Sequence, residues 1–223
     1  MRFPSTRRSA VLAAQSTDAT ERRQAFEALV DAYWKPVYKF VRIKWHCDAD
    51  DAADYTQGFF TRAMEKDFFR AYNPSKGSFR TFLRTCLEGY IANEKKAASR
   101  WKRGGDTTVL SLDYATAEGE LREHPPSPDT SPEESFHREW VRSLFALALD
   151  DLRQLCETRG KRSEFEIFSR YDLDEPTSYS ALAQEFAIPV TTVTNRLAWS
   201  RREFRKLLLD RLRSVDGRES ELL

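Results

Sequence analysis

Ser178-Tyr179-Ser180-Ala181-Leu182-Ala183-Gln184-Glu185-Phe186-Ala187-Ile188-Pro189-Val190-Thr191-Thr192-Val193-Thr194-Asn195-Arg196-Leu197 reads as two short helices joined by a tight turn. The first is amphipathic and buries Leu182, Ala183 and Phe186. It stops around Ala187 to Pro189, and a second helix begins with Pro and Thr in its first turn. That second helix runs on into Arg201, Arg202, Arg205 and Lys206. In a helix-turn-helix of this kind the N-terminal residues of the second helix suit a major groove, and the basic residues behind them suit phosphates. The stretch therefore predicts a DNA reader rather than an enzyme.

Outward from it, the composition is that of a helical chain. Of 223 residues, 32% are charged and only eight are glycine, and mean hydropathy is −0.65. Alternating β-branched runs are scarce, so an all-α fold is expected. The length allows one large domain or two small ones. A net charge of +1 argues against a general nucleic-acid coating protein. The charges are segregated, however. Asp48, Asp50, Asp51 and Asp54 cluster in one segment, and Lys95, Lys96, Arg100, Lys102 and Arg103 in another. Such a chain offers an acidic face to one partner and basic faces to another.

Cys47, Cys86 and Cys156 are odd in number and far apart, which suits a reduced cytoplasmic compartment. The spacing of His46 and Cys47 favours a helix-end pair over a metal site, and no metal or cofactor is expected. No stretch approaches a membrane-spanning length, so no membrane partner is expected. The apolar run Ala10-Val11-Leu12-Ala13-Ala14 follows Arg7 and Arg8 but is too short and interrupted to serve as an export signal.

Hydrophobic periodicity divides the chain. Residues 21–45 carry Phe26, Leu29, Val30, Tyr33, Val37, Phe40 and Val41 at helical spacing, and Pro36 is expected to bend or divide that helix. Asp48 is a candidate N-cap for a helix over 49–65 that buries Ala52, Tyr55, Phe59, Phe60 and Ala63. After the turn Asn73-Pro74-Ser75-Lys76-Gly77, a third helix spans about 78–100, with Gly104-Gly105 ending it. Residues 104–132 then hold Pro125, Pro126, Pro128 and Pro132 among acidic and small polar residues, without a sustained apolar period. That composition predicts an acidic, Pro-rich linker. Ser131-Pro132-Glu133-Glu134 starts a further helix, with Ser131 as N-cap. The expected organisation is an N-terminal extension (1–20), a helical domain (21–103), a linker (104–131), a helix-turn-helix domain (132–213) and a tail (214–223).

Three segments in this order resemble the sigma factors of bacterial RNA polymerase, specifically the small two-domain extracytoplasmic-function group. Asp51-Ala52-Ala53-Asp54-Tyr55-Thr56-Gln57-Gly58-Phe59-Phe60 resembles the family's core-binding helix. Gly77-Ser78-Phe79-Arg80-Thr81-Phe82-Leu83 resembles the opening of its minus-ten-reading helix. Tyr179-Ser180-Ala181-Leu182-Ala183 resembles the start of its minus-thirty-five-reading domain. Any one of these is weak evidence, whereas the ordered set is strong. A narrower resemblance, to members with a long and ordered linker, rests on Lys102-Arg103-Gly104-Gly105, Val109 to Asp113 and Thr130 to Glu133. By that likeness the linker and the segment Thr6 to Ala14 belong to the fold.

The resemblance implies a factor that binds the polymerase core and directs promoter-specific transcription initiation, with promoter DNA as its second partner. Asp50, Asp51, Asp54 and Gln57 would dock on the polymerase, their carboxylates meeting a basic surface. Taken alone, the aspartates are equally an acidic helix N-terminus favoured by the macrodipole. Ala53 stands where many relatives carry Glu. A phosphate on Thr56 would restore negative charge, which makes Thr56 a candidate for a Ser/Thr kinase; the plain alternative is an ordinary surface threonine. Arg80, Arg84, Asn93, Lys95, Lys96 and Arg100 would contact the minus-ten strand, with Phe69, Tyr72 and Trp101 as candidates for stacking on an unpaired base. Glu88-Gly89 departs from the family's usual Arg-Asn. In the second domain Thr191, Thr192, Thr194 and Asn195 would read bases, and Arg196, Arg201 and Arg202 would hold phosphates.

Two rivals are weighed against this. A stand-alone helix-turn-helix regulator would bind DNA without polymerase, and the segment Asp51 to Phe60 argues against it. A helical hydrolase using Asp50 and Asp54 lacks any supporting nucleophile, phosphate loop or metal spacing. Control by an anti-sigma factor, by a kinase or through the linker stays open at this stage.

Overall fold

The structure is a computed structural model that describes residues 9–98 and 110–216, and it is helical, with no strand among the described residues. The chain divides into two compact units, one comprising residues 1–143 and 213–223 and the other residues 144–212.

The first unit is built on α2 (Ala19–Trp45), α3 (Ala49–Glu65) and α4 (Phe79–Ala98). Asp18 caps α2 by accepting from the amides of Thr20 and Glu21, both at 2.8 Å, and Asp48 caps α3 through the Asp51 amide at 2.8 Å. Each cap satisfies amides that the first helical turn leaves without partners. Leu29, Tyr33, Val37, Phe59, Phe60, Phe79, Leu83 and Ile91 are fully buried, and each large side chain removed from water contributes roughly 1.5–3 kcal/mol. Their rings interlock edge to face, Tyr33 with Phe79 at 5.6 Å and Phe69 with Phe79 at 5.3 Å.

Pro36 does not divide α2. An internal proline costs a helix about 3 kcal/mol, but Pro36 is itself buried beside Tyr33, Val37 and Phe40, and core packing on both sides of it holds the helix together. Gly58 meets a different demand. A Cβ there would run into the Tyr90 hydroxyl, so glycine at this position makes room for the end of the Tyr90 side chain against α3.

The N-terminal extension and the linker both take part in this unit. α1 (Ala10–Ala13) buries Val11, and Gln15 donates to the carbonyls of Phe69 and Tyr72 at 3.3 and 2.9 Å. Within the segment expected as a tether, α5 (Tyr114–Glu123) forms a helix capped by Asp113 and packed on α2. It is held by Tyr114 packed on Trp34 and Tyr38, by the fully buried Ala117, and by a set of ion pairs. Arg42 grips Glu118 at 2.7 and 2.9 Å, Tyr38 donates to Glu118 at 2.8 Å, and Lys35 and Lys39 each reach Glu120 at 2.7 Å. Arg42 first, and then Tyr38, lower the Glu118 carboxyl to about 2. Residues 114–123 are thus a packed part of the first unit. Residues 132–143, expected in the second domain, belong to the first unit as well.

α6 (Pro132–Thr158) begins where expected, with Ser131 accepting from the Glu134 amide at 3.1 Å. The Glu134 carboxylate pairs with Arg138 at 2.6 Å. The second unit takes the rest of α6, α7 (Arg162–Phe168), a π-turn over Ser169–Leu173, α8 (Tyr179–Glu185) and most of α9 (Val190–Asp216). Its core is Leu152, Cys156, Ile167, Phe168, Leu182, Val193 and Leu197. Ser178 caps α8 through the Ala181 amide at 3.1 Å. Ala187 takes a left-handed φ of 50° in the turn, which lets Ile188 bond back to the Ala183 carbonyl at 3.0 Å before α9 starts. The expected pair of helices and intervening turn at 178–197 is present, although Ala183 and Phe186 are half-buried rather than fully buried.

Candidate functional site

Three faces carry the residues singled out above. The first is on α3. Asp50, Asp51 and Asp54 are exposed and point away from the buried stripe of Ala52, Thr56, Phe59 and Ala63, while Gln57 is half-buried at the edge of the acidic face. An (i, i+4) step from Asp50 to Asp54 and three more residues to Gln57 keep these side chains on one side of the helix.

Thr56 is not on that face. Its side chain is 0% exposed and its hydroxyl donates to the Ala52 carbonyl at 2.7 Å. A kinase would reach it only after α3 had left its neighbours, so the expected modification of a surface threonine is corrected here. Helical phase accounts for its burial: Thr56 follows Ala52 by four residues and precedes Phe60 by four, which places it in the core stripe.

The second face is on α4, and its residues are differently committed. Arg80 lies 4.0 Å from the centre of the Trp140 ring and contacts His137 Nδ1 at 2.7 Å. Arg84 is half-buried, 3.9 Å from Glu88, and Glu88 in turn accepts from Lys44 at 2.8 Å. Lys95 and Lys96 are exposed, with the Lys95 ammonium 6.0 Å from the Trp45 ring. Asn93 is exposed and lines an open cleft of 410 Å³ with Arg62, Lys66, Phe68, Cys86 and Tyr90. Burial raises the Tyr90 phenol to about 12. Arg100 and Trp101 lie outside the described residues. The other two stacking candidates are core residues. Phe69 stacks on Phe26 at 5.5 Å, and Tyr72 packs on Phe79 at 5.2 Å and donates to the Gly77 carbonyl at 3.0 Å. Neither ring has a face available to a base.

The third face is on α9. Val193 and Leu197 point into the core, leaving Thr191, Thr194, Asn195, Ala198, Arg202, Arg205 and Lys206 on the exposed side. Thr192 is half-buried, and the Thr194 hydroxyl donates to the Val190 carbonyl at 3.1 Å. Arg202 is the most open cation of the expected set, with 70% of its side chain exposed. Arg196 and Arg201 flank the stripe and are held from opposite sides. Arg196 donates to Ser163 Oγ at 2.9 Å. Arg201 makes a fork-shaped pair with Asp172 at 2.7 and 2.9 Å and lies 5.2 Å from the Tyr171 ring. Asp172 holds Arg201 firmly in its charged form. Asp172 escaped the sequence reading because its role depends on the π-turn bringing residue 172 beside residue 201, 29 positions away. Trp199 is half-buried beneath the Lys161 ammonium, 4.2 Å from its ring.

Among the described residues no group of three or more His, Cys, Asp or Glu side chains is placed to hold a metal, and no helix is long and apolar enough to cross a membrane. Comparison with protein-family models, with curated proteins and with solved structures finds no match to this chain.

Proposed function

We propose that this protein is a sigma factor: it binds the bacterial RNA polymerase core through α3 and directs promoter-specific transcription initiation in the cytoplasm. The observation that carries the reading is the exposed stripe of α9. Short polar side chains at Thr191, Thr194 and Asn195 lead into Arg202, Arg205 and Lys206 on one face, directly after the turn that follows α8. That order of base-reading and phosphate-holding chemistry is what a helix seated in a major groove needs. The outward acidic face of Asp50, Asp51 and Asp54 supports a separate, basic protein partner. Catalysis of RNA synthesis belongs to the polymerase, and the chain supplies promoter choice.

A stand-alone DNA-binding regulator would need only α9. The two readings part in a reconstituted transcription assay on a library of promoter fragments. A sigma factor makes core polymerase start at a defined subset of them, and Thr191→Ala with Asn195→Ala abolishes that choice. A regulator leaves core polymerase silent while still retaining duplex DNA by itself.

A further inference from the structure

The start of the α4 face that this reading assigns to the minus-ten strand, at Arg80, is covered by another part of the same unit. We propose that residues 132–143, the first half of α6, form an autoinhibitory cover over Arg80 and Arg84 that must lift before α4 can bind single-stranded DNA. The proposal rests on the nucleic-acid reading of α4.

The contacts are specific to the cations. The Arg80 guanidinium carbon lies over the Trp140 ring, 4.0 Å from its centre, and the His137 Nδ1 contact at 2.7 Å takes up one of its donors. A base or phosphate approaching Arg80 from that side would have to displace both. One helical turn along, Lys44 bridges Glu133 of the cover at 3.0 Å and Glu88 of α4 at 2.8 Å, and Glu88 is 3.9 Å from Arg84. The segment is anchored beneath by Phe136 on Phe40 at 5.5 Å and by Trp140 on Tyr33 at 6.2 Å.

The same interface has features that favour separation. Ser135 Oγ, Trp140 Nε1 and Ser143 Oγ are buried and find no hydrogen-bond partner among the described residues; the one other such atom is Tyr114 Oη on α5. Buried polar groups of this kind are costly, and the cost is recovered when water reaches them. Glu139 and Lys39 are paired at 2.8 Å with 6% and 7% of their side chains exposed, so both charges carry a desolvation penalty that opening relieves. A permanent core would be expected to satisfy or replace these groups. Three orphaned polar atoms and a buried ion pair, concentrated in the segment that covers Arg80, describe a contact stable enough to close and weak enough to exchange.

The test uses the full chain and a fluorescein-labelled, mixed-sequence single-stranded DNA, with binding read by anisotropy and folding checked by circular dichroism. The cover is loosened in two ways: by Glu133→Ala with His137→Ala, and separately by Trp140→Leu, so that misfolding of one variant leaves the other. A closed cover lowers apparent affinity by the fraction of molecules that are open, so loosening it should tighten binding by roughly fivefold or more. Adding Arg80→Ala to either loosened chain should remove that gain. Equal affinity of wild-type and loosened chains, both weakened by Arg80→Ala, would overturn the cover and keep the DNA reading of α4. Indifference of every variant to Arg80→Ala would overturn the DNA reading of α4, and the cover with it.

Discussion

The α4 face and the α9 face both read in sequence as lines of cations awaiting a polyanion, yet the fold treats them differently. On α4, Arg80 is spent on Trp140 and His137, and Arg84 lies next to Glu88. On α9, Arg202, Arg205 and Lys206 stand on the exposed side, Arg202 with a long 3.8 Å contact to Glu203, while the flanking Arg196 and Arg201 are held by closer bonds. The difference teaches that cation count is a poor guide to available charge. A guanidinium against an indole has already traded part of its attraction for phosphate, whereas one in solvent keeps it.

The sharpest way to break this comparison is to remove the platform that displays α9. Leu182 is fully buried between α8 and α9, so Leu182→Ala should destabilise the second unit by about 2–5 kcal/mol. In thermal unfolding the second unit should melt earlier, and duplex DNA binding should disappear with it. Next, Arg202→Ala, Arg205→Ala and Lys206→Ala together should lower duplex affinity of the free chain by about 100-fold at moderate salt. They should also reduce the slope of log affinity against log salt by about 3, each lost phosphate contact contributing about 0.9. Arg80→Ala in the same titration should change affinity less than about twofold, because that side chain is already engaged. Equal losses from the two faces would erase the distinction between them.

An acid titration sharpens the comparison from the side of the first unit. The Glu118 carboxyl sits at about 2 in the folded chain against 4.5 as a free group. Its contribution is therefore complete above about pH 4.5 and is lost as pH falls toward 2. Lys44 likewise holds Glu133 below its usual value, and Lys35 and Lys39 hold Glu120 down against its burial. Chemical denaturation followed from pH 6 to pH 3 should show falling stability, and Glu118→Gln should flatten the fall by up to about 2 kcal/mol. A modest effect is expected from Asp172→Asn. Loosening the fork that holds Arg201 should tighten non-specific duplex binding about two- to threefold through added net charge, with a slightly steeper salt dependence.

Where local chemistry governed, the chain was legible. The cap at Asp48 and the apolar period after it place α3 at its observed bounds, and the Ser178 cap with the break at Ala187 to Pro189 places α8 and α9. Tertiary packing decided the rest. Pro36 sits mid-helix because Tyr33, Val37 and Phe40 are buried around it, and α5 needs only Tyr114 and Ala117 as an apolar face because Glu118 and Glu120 also tie it to Arg42, Lys35 and Lys39. The short α1 gives no periodic signal in four residues, yet Val11 is fully buried. At the candidate site, the outward aspartates and threonines follow from helical phase alone. The burial of Thr56, Phe69 and Tyr72 and the capture of Arg80 and Arg201 depend on partners distant in sequence.

The proposed function puts α3 on polymerase and α9 on promoter DNA. Size-exclusion chromatography of the purified chain with RNA polymerase core tests it most directly. Co-elution that is lost when Asp50, Asp51 and Asp54 are changed to Asn, in a variant that keeps its helical circular dichroism, is the predicted result. A chain that elutes apart from core polymerase yet still retains duplex DNA through α9 would contradict the claim and favour a stand-alone regulator.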